Sequence, residues 1–183
     1  MYEVEVKLSV QHDVLRPKLL NLGFEPAGTY RQVDHYFSSP VRDFAITDEA
    51  LRVRELEPEG TDVRRVELTY KGPRQPTTTK SRLERTCTVE DADSIIAILK
   101  WLDFSYVASV DKHRERLVGD ELTAVLDQVS GLGEYAELEM LAGVDEVDAA
   151  DEQLAHTLAT LGLEHSHIVD ATYLELILSD AYE

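Results

Sequence analysis

The sequence predicts an α+β fold. About eight strands form a mostly antiparallel sheet, closed or nearly closed into a β-barrel, with helices flanking it at three places along the chain. Three features predict it. Polar and apolar residues alternate in segment after segment, the period of a strand with one buried face. The strand segments follow one another through short connections, which favours antiparallel neighbours. Helical periodicity is confined to short stretches near the start, middle and end. No repeat, low-complexity tract or linker interrupts the 183 residues, so one domain over 1–183 is expected.

Residues 2–9 (YEVEVKLS) alternate strictly, with Glu3, Glu5 and Lys7 on one face and Val4, Val6 and Leu8 on the other. Residues 13–22 predict a short helix capped by His12 or Asp13 and closed by Gly23. Pro17 is tolerable there only near the first turn, where backbone N–H groups are unpaired anyway. Strands are predicted at 30–37, ending before Pro40, at 49–57, before the turn Glu59-Gly60, and at 63–71, stopped by Gly72-Pro73. A loop over 72–80 leads to a strand at 81–89. Residues 92–102 predict a helix capped by Asp91 or Asp93, with Ile95, Ile98, Leu99 and Leu102 on one face. Residues 106–118 and 122–129 read as a hairpin across Gly119-Asp120, and 134–141 as the last strand. Helices at 148–161, ended by Gly162, and at 172–182 complete the chain.

Hydrophobic residues make up 43% and charged residues 30%, enough apolar side chain for a packed core. The lone Cys87 excludes an intrachain disulfide and a cysteine-rich metal cage. The start MYEVEVKLSV lacks the basic end and apolar run of a signal peptide, and no stretch approaches the roughly 18 apolar residues of a membrane span. A cytoplasmic protein is expected. Thirty-six acidic residues against 18 basic ones give a net charge of −18, which argues against nucleic acid or an anionic membrane as partner. Abundant acid with few lysines suits a protein kept soluble in concentrated salt, so a halophilic source is expected.

The charge is unevenly placed. Residues 1–30 and 31–116 each sum to −1, whereas 117–183 sum to −16 and contain no Lys or Arg. A chain enriched in acid has thus kept 15 of its cations between 31 and 116. These either pair with local acids such as Glu55, Glu57 and Glu84, or hold an anion. Side chains two apart on a strand share a face, which groups Arg52 with Arg54, Glu67 and Thr69 with Lys71, Arg82 with Glu84, Lys112 with Arg114 and Arg116, and Glu137 with Glu139. An ordinary sheet would turn such faces to water. Six strands doing so together, with like signs grouped, instead suggest a polar lumen with cations on one wall and carboxylates on another. Carboxylates suit hard divalent ions, and arginine forks suit phosphate oxygens. Without a glycine-rich phosphate loop, the cradle would be side chains.

The start Glu3-Val4-Glu5-Val6-Lys7 resembles the ExExK signature of the CYTH superfamily, the triphosphate tunnel metalloenzymes, among them class IV adenylyl cyclases, thiamine triphosphatases and inorganic triphosphatases. QVDHYF (32–37), LRVRE (51–55), LTYKGP (68–73), SRLE (81–84), DKHRER (111–116), LDQVSGLGEYAELE (126–139) and TYLELIL (172–178) resemble the later blocks in order, so the likeness spans the chain. It implies an eight-stranded antiparallel β-tunnel that binds a triphosphate with Mg²⁺ or Mn²⁺. By motif, Glu3, Glu5, Glu137 and Glu139 resemble the metal-handling acids, and Asp127 a further metal-side carboxylate. Lys7, Arg52, Arg54, Lys71, Arg82, Lys112 and Arg114 resemble the triphosphate-binding cations, and Glu84 an acid that orients them. Two positions depart from the pattern: Arg85-Thr86, where many members place another acid, and Asp170-Ala171-Thr172-Tyr173, where relatives often carry a basic residue.

The implied activity is that of a class IV adenylyl cyclase-like enzyme, converting ATP to cyclic AMP and pyrophosphate. The alternatives are a triphosphatase acting on tripolyphosphate or thiamine triphosphate, and a polyphosphate- or nucleotide-binding module without turnover. The four or five carboxylates argue against the last, because a pure binder needs cations more than acids. The expected partner is a small-molecule triphosphate, with homodimer formation allowed for. Glu164-His165-Ser166-His167 reads as a loop rather than a metal clip, Cys87 as an outward-facing side chain, and Tyr36 and Phe37 as core aromatics.

Overall fold

Strand β1 (Tyr2–Ser9) opens the chain and is followed by α1 (His12–Asn21), β2 (Glu25–Ser38), α2 (Phe44–Thr47), β3 (Ala50–Pro58), β4 (Arg65–Arg74), β5 (Arg82–Val89), α3 (Ala92–Trp101), β6 (Ser105–Val118), β7 (Thr123–Val129), β8 (Gly133–Ala142), α4 (Val147–Thr160) and α5 (Tyr173–Asp180). The computed structural model describes residues 2–74, 82–143 and 145–180, leaving aside the side chains of Tyr2, Glu3, Arg74 and Arg82. The fold is α+β; the described residues form eight antiparallel strands in the hydrogen-bonded order β1-β8-β7-β6-β2-β3-β4-β5, with five α-helices. The described residues fall into two compact units, 2–29 with 113–143 and 145–172, and 30–74 with 82–112 and 173–180.

In the first unit β8 is flanked by β1 and β7, in registers that run from Tyr2↔Ala142 to Ser9↔Tyr135 and from Thr123↔Glu139 to Val129↔Gly133. One face of these strands carries Val4, Leu8, Leu126 and Leu138, which pack with Leu15 and Leu19 of α1 and with Leu154 of α4 into a buried core. The other parity carries Lys7, Asp127 and Glu137, and these are buried too, at 7%, 0% and 7% exposure. A charged strand face shielded from water must satisfy its charges internally.

In the second unit β2 to β5 form a meander paired as Asp34↔Arg54, Arg52↔Thr69 and Lys71↔Glu84. Phe37, Val53 and Val66 on one face meet Ala92 and Leu99 of α3. Asp91 caps α3 by accepting from the Ser94 backbone N–H at 2.7 Å. The apolar face expected on α3 is only partly covered. Leu99 is buried, but Ile98, Leu102 and Trp101, the single tryptophan, are exposed, Trp101 at 81%.

Several local expectations are corrected. His12 and Asp13 do not cap α1. Gln11 holds the N-cap without a side-chain bond, and the orphan His12 N–H donates instead to Glu134 Oε2 at 2.9 Å. Pro17 lies beyond the first turn; the helix runs through it, giving up one backbone bond while Leu15 and Leu19 keep their burial. Strand β2 begins at Glu25, five residues before the predicted start. Strand β4 continues through Gly72-Pro73 to Arg74. It does so because the register with β5 shifts between Lys71 and Arg74, at an irregularity where a proline without an N–H is tolerated. The four-residue α2, capped by Asp43 on the Ala45 N–H, was not predicted. The terminal helix is described from Tyr173 to Asp180, and residues 181–183 of its predicted span lie outside the described residues.

Candidate functional site

The first unit presents an acidic cluster. Glu5 stands directly opposite Glu139 across the β1–β8 ladder, and Lys7 opposite Glu137. The carboxylate oxygens of Glu5, Glu137 and Glu139 lie within 4.8 Å of one another; among the described residues this is the acid group close enough to share one metal ion. Like charges directly opposite on a sheet are unfavourable. Two cations offset them. Lys7 Nζ lies 3.7 Å from Glu137 Oε1 and donates to the Ala171 carbonyl at 3.1 Å. Arg114 donates through Nε and Nη2 to the two oxygens of Asp127, at 2.6 and 2.5 Å, and through Nη2 to Glu137 Oε2 at 2.5 Å. Its Nη1 lies 3.8 Å from Glu139. Burial disfavours the Arg114 charge, but Glu137 and Asp127 outweigh it and hold its pKa well above the ordinary guanidinium value. Among the described residues the cluster brings the carboxylates of Glu5, Asp127, Glu137 and Glu139 together with Lys7 and Arg114.

The second unit presents the opposite balance. Its polar face carries Gln32, Asp34 and Tyr36 on β2, Arg52 and Arg54 on β3, Thr69 and Lys71 on β4, and Glu84 and Thr86 on β5. Arg54 donates through Nε and Nη2 to the two oxygens of Asp34, at 2.6 and 2.8 Å. Gln32 Nε2 donates to Asp34 Oδ2 at 2.9 Å. Arg52 Nη1 lies 3.8 Å from the same oxygen and its Nη2 3.9 Å from Glu84. Lys71 Nζ meets Glu84 at 2.8 Å. Lys112, 3% exposed, places its ammonium 4.7 Å from the centre of the Tyr173 ring. Thr69 and Thr86 share a hydrogen bond of 2.9 Å. Among the described residues Arg52, Arg54, Lys71 and Lys112 thus face Asp34 and Glu84, four cations against two carboxylates, while the nearby Glu67 pairs with Arg65 at 2.9 Å.

Burial raises the pKa of Asp34, but Arg54 and Arg52 overcome it and hold the carboxyl far below the usual range. Burial likewise raises Glu84, and Lys71 brings it below its ordinary value. The Tyr36 hydroxyl is pushed up by burial and by Asp34. Arg52 Nε is a buried nitrogen with no hydrogen-bond partner, the one such side-chain atom among the described residues.

Of the sequence candidates, Glu5, Lys7, Arg114, Asp127, Glu137 and Glu139 gather in the first unit, and Arg52, Arg54, Lys71, Glu84 and Lys112 in the second. The side chains of Glu3 and Arg82 lie outside the described residues. Asp127 is not one of the three acids close enough to share an ion; both its oxygens accept from Arg114. Sequence reasoning missed Gln32 and Asp34, although their alternation with Val33 and Phe37 was a usable signal. It also placed Tyr36 in the core. Only Phe37 is there, while Tyr36 lies on the polar face directly across the ladder from Arg52. His167 binds the Glu164 backbone locally, and Cys87 is exposed.

The description "CYTH domain" matches residues 1–173. The chain is 34% identical over 178 residues, 96% of its length and 98% of the relative, to a Methanocaldococcus jannaschii protein named "Putative adenylate cyclase MJ0240". The PH1819 protein of Pyrococcus horikoshii superposes with a TM-score of 0.87 at 38% identity, over 98% of this chain and 99% of that one. HpAC1 of Hippeastrum, described as having a dominant triphosphatase activity, shares the fold at a TM-score of 0.69 and 17% identity, over 98% and 96% of the two chains. With the family match spanning nearly the whole sequence, this chain belongs to the CYTH domain family.

Proposed function

We propose that the protein is a metal-dependent enzyme acting on a triphosphate, and that its principal reaction is the conversion of ATP to 3′,5′-cyclic AMP and pyrophosphate. The observation that carries the metal-dependent reading is the direct cross-strand pairing of Glu5 with Glu139, with Glu137 beside them. Carboxylates held this close fit a hard divalent ion such as Mg²⁺ or Mn²⁺. Glu5, Glu137 and Glu139 would hold it, with Glu3 as a further acid. When bound, the ion supplies charge neutralisation and Lewis acidity at the phosphate. Arg114, oriented by Asp127, sets the charge of this cluster. Arg52, Arg54, Lys71 and Lys112, with Lys7 and Arg82, bind phosphate oxygens, and Glu84 orients Lys71. In the cyclase reaction the ribose 3′-oxygen bonds to the α-phosphorus, its proton is lost, and the bond to the bridging oxygen breaks to release pyrophosphate.

The relative named adenylate cyclase at 34% identity supports the cyclase reading. A triphosphatase, in which water attacks the terminal phosphorus, needs the same side chains, and the activity described for HpAC1 keeps that second reading open. The test incubates the protein with ATP, thiamine triphosphate and tripolyphosphate, with Mg²⁺ or Mn²⁺, at high salt. Cyclic AMP as the main product is expected. Orthophosphate as the main product would replace the cyclase by the triphosphatase, and no product from any substrate would leave a binding module.

A further inference from the structure

The mechanism above uses the arginines of the second unit but leaves Asp34 and Gln32 without a role. Both are almost fully buried, at 2% and 1% exposure. A buried carboxylate is costly unless its environment compensates it, and in stability alone a well-packed apolar residue often does as well. The surroundings of Asp34 are unusually specific. Arg54 meets it side-on, spending Nε and Nη2 and leaving the Nη1 edge outside this clamp. Such a two-point contact fixes the plane of a guanidinium, which one hydrogen bond would leave free to rotate. Gln32, two residues away on the same strand face, holds Asp34 Oδ2 and so fixes the carboxylate itself. Arg52 lies within ion-pair distance of that oxygen, yet its Nε remains buried and unpartnered. A buried donor left without an acceptor is unfavourable, and an anion oxygen would relieve it.

We propose that Asp34 is a positioning residue that holds the Arg54 and Arg52 guanidinium groups in the orientation in which they grip the phosphates of the substrate, with Gln32 fixing Asp34 in turn. This rests on the triphosphate reading above and assigns to it a residue that does not touch substrate. It makes a counterintuitive prediction. Removing the Asp34 charge makes the cluster more positive, so a site acting as a diffuse positive field would bind an anion more tightly. A site acting through oriented forks would bind it more weakly.

The experiment titrates the full chain calorimetrically with tripolyphosphate at fixed free Mg²⁺ and high salt, for wild type, Asp34→Asn and Asp34→Glu. Asp34→Asn keeps the shape and loses the charge; Asp34→Glu keeps the charge and displaces it by one methylene. Both are expected to weaken tripolyphosphate binding by about 10- to 100-fold, the range set by charged hydrogen bonds. Metal affinity measured without tripolyphosphate should stay unchanged, because it reports on Glu5, Glu137 and Glu139, and a merely unfolded variant would not preserve it. Wild-type or tighter tripolyphosphate binding by either folded variant overturns the positioning role while leaving the triphosphate reading intact. Failure of wild type itself to bind tripolyphosphate or ATP overturns both. Loss of the cooperative unfolding transition in both variants would make Asp34 a structural residue and likewise overturn the proposal.

Discussion

At the scale of single residues, the acids of the first unit are not equivalent. Glu5 faces Glu139, so Glu5→Gln relieves like-charge repulsion. It is expected to abolish turnover while leaving the stability of the metal-free protein unchanged or raised. Glu137 also accepts from Arg114 and lies beside Lys7, so Glu137→Gln is expected to abolish turnover and to cost about 1–3 kcal/mol of stability. Turnover assays with denaturant melts in the absence of metal check both, and a Glu5→Gln variant with normal activity across a metal titration would remove Glu5 from the metal role. The positions of Glu5, Lys7, Glu137 and Glu139 were legible because strict alternation on a strand fixes which side chains share a face. Asp127 was legible as a charged member of that face but not as the clamp on Arg114. Parity gives the face and cannot say which of several nearby carboxylates an arginine chooses. Asp34 escaped for a related reason: alternation could put it on the polar face with Gln32, but not say which arginine it clamps until its strand partner, Arg54, is known.

At the scale of elements, β8 turns one face to the core and the other to the charged cluster. Leu138, fully buried in the first core, should cost about 2–5 kcal/mol when changed to Ala, as is usual for core truncations, with KM unchanged in the folded fraction. Its neighbour Glu139 should behave in the opposite way, and a Leu138→Ala variant with an altered KM at full folding would show that the faces are coupled. The segment around α2 makes a separate prediction. Glu49 accepts from Arg42 at 2.7 and 2.8 Å, from Thr47 at 2.6 Å and from the Tyr70 hydroxyl, and its carboxyl falls from an ordinary 4.5 to about 2. A carboxyl whose pKa is depressed by folding stabilises the fold above its unfolded value. That contribution fades as pH falls from about 4.5 towards about 2. Thermal melts of wild type and Glu49→Gln should therefore differ near pH 5 and converge as pH falls through this window; a constant gap would discount the linkage. Most strands were legible from period alone. What escaped was α2, too short to show a helical period, and the passage of β4 through Pro73, permitted by a register shift that only the paired β5 reveals.

At the scale of the whole molecule, the segregation of charge governs the response to salt. The chain repels a triphosphate at long range through residues 117–183, which carry −16, while oriented cations attract it at contact. The screening length is about 8 Å at 0.15 M salt and about 3 Å at 1 M. Concentrated KCl should hide the distant repulsion more than it weakens direct arginine–phosphate contacts. KM is expected to fall or stay level as KCl rises from low to molar concentrations at fixed free metal, with folding checked at each step. A steep rise in KM while the protein remains folded would show that the substrate responds mainly to screened ion pairs.

The exposed end of α3 has a spectroscopic consequence. The only indole in the chain stands in water beside Ile98 and Leu102, far from any change in burial that unfolding could impose on it. Its emission should already lie near that of a solvated tryptophan in the native protein and shift little on denaturation, so intrinsic fluorescence is a poor gauge of folding here. The same property makes it a selective gauge of something else: a blue shift appearing with protein concentration, in a chain whose circular dichroism is constant, would signal that a second molecule has covered this face.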